Sequence, residues 1–426
     1  MAVAKNGSTM DLTVEHIERI PVGVPFRSVP GRNLKAQANW RDFLVLEVEL
    51  AGGHLGYGEA MLDYWSGDLA MEDVQSVIGR NAAEQMWDDS LGWAIQTALF
   101  DAVGRALGVP IHELLGEQVH DRTPLAWWCI DMPPGDFVHE AQCALEHGYT
   151  DMKVKGRPWF DIREQLERLT NEVPESFTID VDFNDTLLDA NRAITLLQEF
   201  DEYQQVEIYE TPIPQDDVDG NRRIREETDG QIAMHYGTPD PKTAICKEVC
   251  DGFVVTGPPG RLMEIGSVAA MADRPFFLQL VGTGITAAHS LHFGGVLEQA
   301  RWPAINCHQI YENSLLVDPI DVDDGFATVP SSPGLGHRVD REALERYRVD
   351  EVELLSAPAR LVEVSWIDGE TLYCSSLRDD LMEMARAGEL PYFEQGVTTR
   401  VIEHTGSDRA AELLDRVAEG PVFDDE

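Results

Sequence analysis

The chain has 426 residues, with 76 acidic against 33 basic side chains and a formal net charge of -43 at pH 7. Such a charge repels phosphates and anionic headgroups, which argues against a nucleic-acid or membrane partner. Hydrophobic residues make up 43%, enough for a large domain plus a smaller one, or two to three domains, and too many for general disorder.

The acidic residues are spread along the whole chain and lysine is scarce. That pattern reads as a solvated acidic coat which salt must screen, as in the cytoplasm of a halophilic organism. The polar start and the lack of a long apolar run predict neither signal peptide nor membrane span. Six cysteines, at 129, 143, 246, 250, 307 and 374, are irregularly spaced. Cys246 and Cys250 suit one helix face, but no cluster completes a zinc site, so buried free thiols are expected.

In chain order, the alternation predicts strands at 43–50 and 55–60 around the turn Ala51-Gly52-Gly53. Residues 70–118 are mostly helical, and Gly108-Val109-Pro110 ends the long helix 94–107. Residues 11–122 thus form an α+β module. Strand candidates then recur at 125–130, 150–155, 177–182, 206–210, 231–235, 252–256, 276–280 and 304–308. They are separated by about 21–29 residues each, with helical patterns in most gaps, which predicts a parallel sheet closed as a barrel over 123–340. A doubly wound open sheet is the alternative, but no glycine-rich phosphate loop follows the first strand. Residues 341–426 return to the first module and add a small α/β appendage. It has a hairpin at Asp368-Gly369, helices at 377–387 and 408–418 and a strand at 398–403, with oligomer contact or barrel covering as its role.

Active sites of barrels lie at the carboxyl ends of the strands. Strand two ends Lys153-Val154-Lys155, which holds two of only six lysines in the chain. Residues i and i+2 of a strand share a face, so both ammonium groups converge there. A neighbouring cation and partial burial both lower a lysine pKa and make it a usable base. Asp182 and Glu210 end strands three and four, well placed to share a hard divalent cation. His235, Thr256, Gln279 and His308 stand at the ends of strands five to eight, and Trp65, Trp127 and Trp128 are candidate pocket walls.

In these motifs the chain resembles the enolase superfamily, in its mandelate racemase and muconate lactonizing enzyme branch. The marks are Gly56-Tyr57-Gly58-Glu59-Ala60, the helix 94–107 running on to Gly116, Lys153-Val154-Lys155, Asp182-Phe183-Asn184, Glu210-Thr211-Pro212 and Val329-Pro330 through Gly336. The resemblance covers roughly 11–350. It implies a modified (β/α)7β-type TIM barrel under an α+β capping domain, whose loops, here around 23–40 and 61–68, shape selectivity. It also implies Mg²⁺ held by three acids, and abstraction of the proton α to a carboxylate. Carried over, Asp182 and Glu210 match the first two metal ligands, Asn184 the polar residue beside the first, Lys155 the base and Lys153 its neighbour.

The departures are equally definite. The third acid is replaced by His235 or, one residue on, Tyr236. Imidazole suits Mn²⁺ or another softer divalent metal better than Mg²⁺. Alternatively His235 serves as an acid, or only hydrogen-bonds at the barrel mouth. The second base is missing, because Thr256 and Gln279 stand where the branch places a lysine or histidine. His308 is a candidate acid or a structural histidine. The expectation is a cytoplasmic homo-oligomer acting on a small carboxylate, most simply a sugar-acid dehydratase. The alternatives are a one-base isomerase or racemase, and a non-catalytic barrel that binds a small acid. If the acidic coat needs screening, dialysis into dilute buffer is expected to abolish the far-ultraviolet circular dichroism; an unchanged spectrum contradicts it.

Overall fold

The computed structural model describes residues 11–34, 40–62, 64, 69–349, 360–402 and 408–424. Trp65 and parts of both expected selectivity loops lie outside them. Strands Val14–Gly23, Asp42–Leu50 and Leu55–Met61 form an antiparallel sheet. The helix Gly92–Leu107 packs on that sheet, and glycines set the distance. A Cβ on Gly56 would lie 2.2 Å from the Ala98 carbonyl oxygen, and one on Gly58 would lie 2.1 Å from that of Ala94. Neither position tolerates a side chain without moving helix or sheet. Between them and the barrel stands Glu59, wholly buried. Its carboxylate accepts hydrogen bonds from Thr283 N–H (2.7 Å), Thr283 Oγ1 (2.6 Å) and Thr286 N–H (2.9 Å) at the start of the helix Gly284–Val296. The Gly-Tyr-Gly-Glu-Ala motif is therefore a joint between the antiparallel sheet and the barrel.

Seven parallel strands form the barrel sheet in sequence order: Trp127–Trp128, Asp151–Lys155, Thr178–Asp182, Val206–Glu210, Gln231–His235, Gly252–Val255 and Phe276–Leu278. The expected eighth strand, 304–308, is reduced to a short bridging segment. Ala304 and Ile305 hydrogen-bond to Pro124 and Leu278 carbonyls, 2.8 Å each, and so join the two edge strands. Cys307 then takes φ 58° and turns the chain into the 3₁₀ helix His308–Ile310. A strand of five residues was expected because 304–308 is apolar and strand-like; the turn at Cys307 cuts it short. Among the described residues no helix is long and apolar enough to cross a membrane.

The last sheet, in the order 398–402, 361–365, 371–374, 422–424, belongs to the C-terminal appendage. Its apolar core is not self-contained. Trp159 and Phe160, from the loop after the second barrel strand, are buried in it with Val362, Val364, Leu372, Leu377 and Leu381. Hydrogen bonds reinforce the junction. Gly396 N–H donates to Asp161 Oδ2 (2.6 Å), Arg163 Nη1 to the Phe393 carbonyl (2.7 Å), and Thr399 Oγ1 to the Trp159 carbonyl.

Candidate active site

Strand register brings the charged side chains into one row. Lys155 pairs with Asp182, Lys153 with Asp180, and Asp182 with Glu210. Between the third and fourth strands the pairing steps from Ile179–Val206 to Asp180–Ile208, and this irregularity sets Glu210 level with Asp182. Lys155, Asp182 and Glu210 thus stand side by side on three neighbouring strands, at their carboxyl ends.

The two lysines make different contacts. Lys153 Nζ is buried; it donates to Glu210 Oε2 in close contact and to Gln279 Oε1 (3.2 Å), lies 3.6 Å from Asp182 Oδ2, and sits 5.0 Å from the Phe277 ring centre. Lys155 Nζ donates to Asp182 Oδ2 in close contact and to Asn184 Oδ1 (3.3 Å). Burial opposes charge on both. On Lys153 the carboxylates of Glu210 and Asp182 outweigh burial and hold the ammonium above its ordinary pKa. On Lys155 burial wins over Asp182, and the neighbouring Lys153 and Arg157 charges push the same way, so its pKa is lowered. Asp182, although buried, is held far below the carboxylate range by Lys155, Lys153 and Arg157. Only Lys155 of the pair is made easier to deprotonate.

Arg157 is a third cation of this group, and the strand-end pattern does not reveal it. It lies in the loop past Gly156, nearly fully buried, and donates to Asn184 Oδ1, the Asp182 carbonyl (3.0 Å) and the Gly156 carbonyl (2.8 Å). The signal available in the sequence is a third basic residue two places beyond the lysine pair. Asn184 and Thr211, just past the third and fourth strands, hold φ of 48° and 46°. Strained backbone of this kind concentrates at functional sites.

These groups open into a cavity of about 450 Å³. Lys155, Asp182, Asn184, Glu210, His235 and Gln279 line it. Trp40, Tyr64, Trp128 and Trp159 supply aromatic wall. Lys153 lies beneath this lining. Tyr236 turns away and packs against Phe253, which leaves His235 as the fifth-strand residue in the cavity. Three further expected residues are not part of the lining. Thr256 is exposed beyond its strand. Trp127 is buried with its indole N–H on Glu140 (3.0 Å). His308 is half-buried with Nε2 3.2 Å from the Tyr149 hydroxyl, and loss of hydration pushes its pKa down to about 4, so it is a neutral packing histidine at ordinary pH.

The fit to a divalent cation rests on Glu210. Its Oε1 is buried and accepts no hydrogen bond from the described residues, while His235 Nε2 stands 3.3 Å away. An orphaned carboxylate oxygen beside an imidazole nitrogen suits a cation that accepts mixed oxygen and nitrogen donors. Among the described residues, the set of three possible ligands whose donor atoms lie within 4.8 Å of one another is a different one: His139, Glu140 and Cys143. There both Glu140 oxygens are taken by Arg27, and one also by Trp127, so that set is a structural clasp.

A capped parallel barrel with lysines and acids at its carboxyl-terminal mouth defines a class, and comparison with known proteins agrees. A family model described as "Enolase C-terminal domain-like" matches residues 136–343. D-gluconate dehydratase of Thermoproteus tenax is 26% identical over 298 residues, 64% of this chain and 59% of the relative. Arabinonate dehydratase of Saccharolobus solfataricus is 24% identical over 349 residues, 72% of this chain and 91% of the relative. The solved muconate lactonizing enzyme from Pseudomonas putida superposes with a TM-score of 0.65 at 22% identity, covering 79% of this chain and 100% of that one. Other relatives are named as racemases and cycloisomerases. Residues 136–343 thus match the enolase C-terminal domain-like family, and the chain shares the fold of the muconate lactonizing enzymes. Members of this superfamily bind a divalent metal, typically Mg²⁺.

Removing one partner of a buried ion pair costs about 3–5 kcal/mol, against about 0–1 kcal/mol for an exposed pair. Asp182→Asn is therefore expected to destabilise the protein by about 3 kcal/mol or more at pH 7. Glu164→Gln, which breaks the exposed Arg168–Glu164 pair, should change little. Urea unfolding in molar salt compares the two, and equal effects contradict the assignment.

Proposed function

We propose that the protein abstracts the proton α to a carboxylate and most simply dehydrates a sugar acid. The carrying observation is that, of the two lysines, Lys155 is the one that joins a lowered pKa to a place in the cavity wall. A divalent cation held by Asp182, Glu210 and His235 would supply Lewis-acid stabilisation to the substrate carboxylate, and the imidazole favours Mn²⁺ over Mg²⁺. Neutral Lys155 takes the α-proton at Nζ. Lys153, which keeps its charge, faces the negative charge that develops on the substrate. Gln279, the Lys153 acceptor in the cavity wall, cannot exchange a proton at neutral pH, so no second base completes a two-base racemisation.

One-sided chemistry closes without another acid. The proton on Lys155 Nζ is handed to the β-hydroxyl as the carbon–oxygen bond breaks. Water leaves, the lysine returns to its neutral form, and the enol left behind tautomerises to the 2-keto-3-deoxy acid. This route predicts elimination on a single face. A one-base isomerase would use the same proton abstraction and return the proton to carbon. A non-catalytic, acid-binding barrel is favoured by one observation, the ion pairing of both lysines with the carboxylates.

Incubation with aldonic and aldaric acids in deuterated, high-salt buffer with Mg²⁺ or Mn²⁺, followed by proton NMR, separates these readings. Loss of the α-proton signal with keto-acid formation is expected. Lys155→Ala should slow it by a factor of about 10²–10⁴. Exchange without product favours the isomerase. Acid binding without exchange under any metal favours the non-catalytic barrel.

A further inference from the structure

The cavity wall is not made by barrel and capping residues alone. The helix Leu377–Ala387 of the C-terminal appendage contributes Asp379 and Glu383 and, beside them, Arg378, Met382 and Arg386. Arg378, Met382 and Arg386 stand four apart, so they share one helix face. The adjoining face, Leu377, Leu381 and Ala385, is buried in the core that contains Trp159 and Phe160. Ser376 caps the helix by accepting from Asp379 N–H (3.1 Å). Near the other end Arg386 Nε donates to the Asn184 carbonyl (3.1 Å), and its Nη2 lies 3.5 Å from Asp185 Oδ2. The helix is thus fastened to two barrel loops, those that follow Lys155 and Asp182. The family model that matches this chain ends at residue 343, before the appendage begins.

Of the two arginines, Arg386 has an acid partner. Arg378 forms no ion pair or hydrogen bond with the described residues. That is notable in a chain with 76 acidic side chains and only 33 basic ones. Arg378 is exposed at the mouth, whereas Lys155 lies on the cavity floor. Its charge reaches the Tyr64 phenol of the capping wall: burial raises the Tyr64 pKa to about 12, and Lys153 and Arg378 act against that rise. The acidic coat, with Asp379 and Glu383 on the same helix, repels a dianion approaching the mouth, and the Arg378 guanidinium, unpaired among the described residues, is the group there that can receive a carboxylate. A guanidinium binds a carboxylate through two parallel hydrogen bonds, and a cavity of about 450 Å³ has the volume for a six-carbon acid.

We propose that the appendage helix is part of the substrate site and that Arg378 receives the distal carboxylate of a dicarboxylic hydroxy acid. This deepens the function proposed above and rests on it for the orientation of the substrate, with the reacting end at Lys155. Arg378 determines specificity and takes no part in the proton transfer.

Calorimetric binding with Mn²⁺ present tests it, using a hexaric acid and the hexonic acid of matching configuration on the Lys155→Ala background, where neither is consumed. The diacid is expected to bind at least tenfold more tightly. Adding Arg378→Ala should reduce that ratio to near one, and Arg378→Lys should keep part of it. Because Arg378 is exposed, the variants should retain the circular dichroism of the parent; a variant that does not is replaced by Arg378→Gln. A ratio unchanged by Arg378→Ala, or no preference for the diacid, overturns the proposal. An Arg378-dependent ratio together with no α-proton exchange in the Lys155 protein leaves the subsite standing and removes the proposed reaction. Lys155-dependent exchange with an Arg378-independent ratio does the reverse.

Discussion

The structure turns on one buried exchange of charge: Lys153 on Glu210 and Lys155 on Asp182, across three adjacent parallel strands. Buried ions must be matched or neutralised, because the loss of hydration exceeds what a poorly placed partner returns. The register of three strands supplies that match. Its asymmetry matters more than its existence. Lys153 sits between two carboxylates and keeps its proton, while Lys155 has one carboxylate and two cationic neighbours and gives its proton up more readily. Two identical side chains two residues apart thereby acquire different acidities from geometry alone.

That geometry is supported from outside the barrel. The loop after Lys155 runs through Arg157, which binds the Asn184 side chain, to Trp159, whose indole N–H donates to Asp131 Oδ2 (2.7 Å). Trp159 is also a core residue of the appendage. Losing the packing of the appendage would expose Trp159 and Phe160 and loosen the segment that leads out from Lys155. On the other side, Glu59 ties the antiparallel sheet to the helix that follows the seventh strand. The cavity is thus closed by elements from both ends of the chain.

Much of this was legible in the sequence. Lysines on one strand face and acids ending the next two strands follow from a period of two and a regular strand–helix repeat, both local properties. The misreadings have specific causes. The apolar pattern places His308 at a strand end, but the left-handed turn at Cys307 redirects it to Tyr149. Arg157 lies in a loop, where periodicity has nothing to say. Arg378 belongs to a helix whose own pattern is ordinary, and its position over the mouth is a matter of long-range packing. The one local hint was the adjacent Trp159 and Phe160, two large apolar side chains in a barrel loop that needed a cover. The split in lysine acidity was not legible either, since it depends on which oxygen each ammonium group meets.

The central claim is that Lys155 is the readily deprotonated member of the pair. With only six lysines in the chain, the side-chain resonances of lysine-labelled protein can be followed through a pH titration in high salt and assigned by replacing Lys153 or Lys155 with arginine. The account predicts that the Lys155 signal titrates below the ordinary lysine value, and the Lys153 signal above it. A Lys155 signal that titrates at the ordinary lysine value or above it would contradict it.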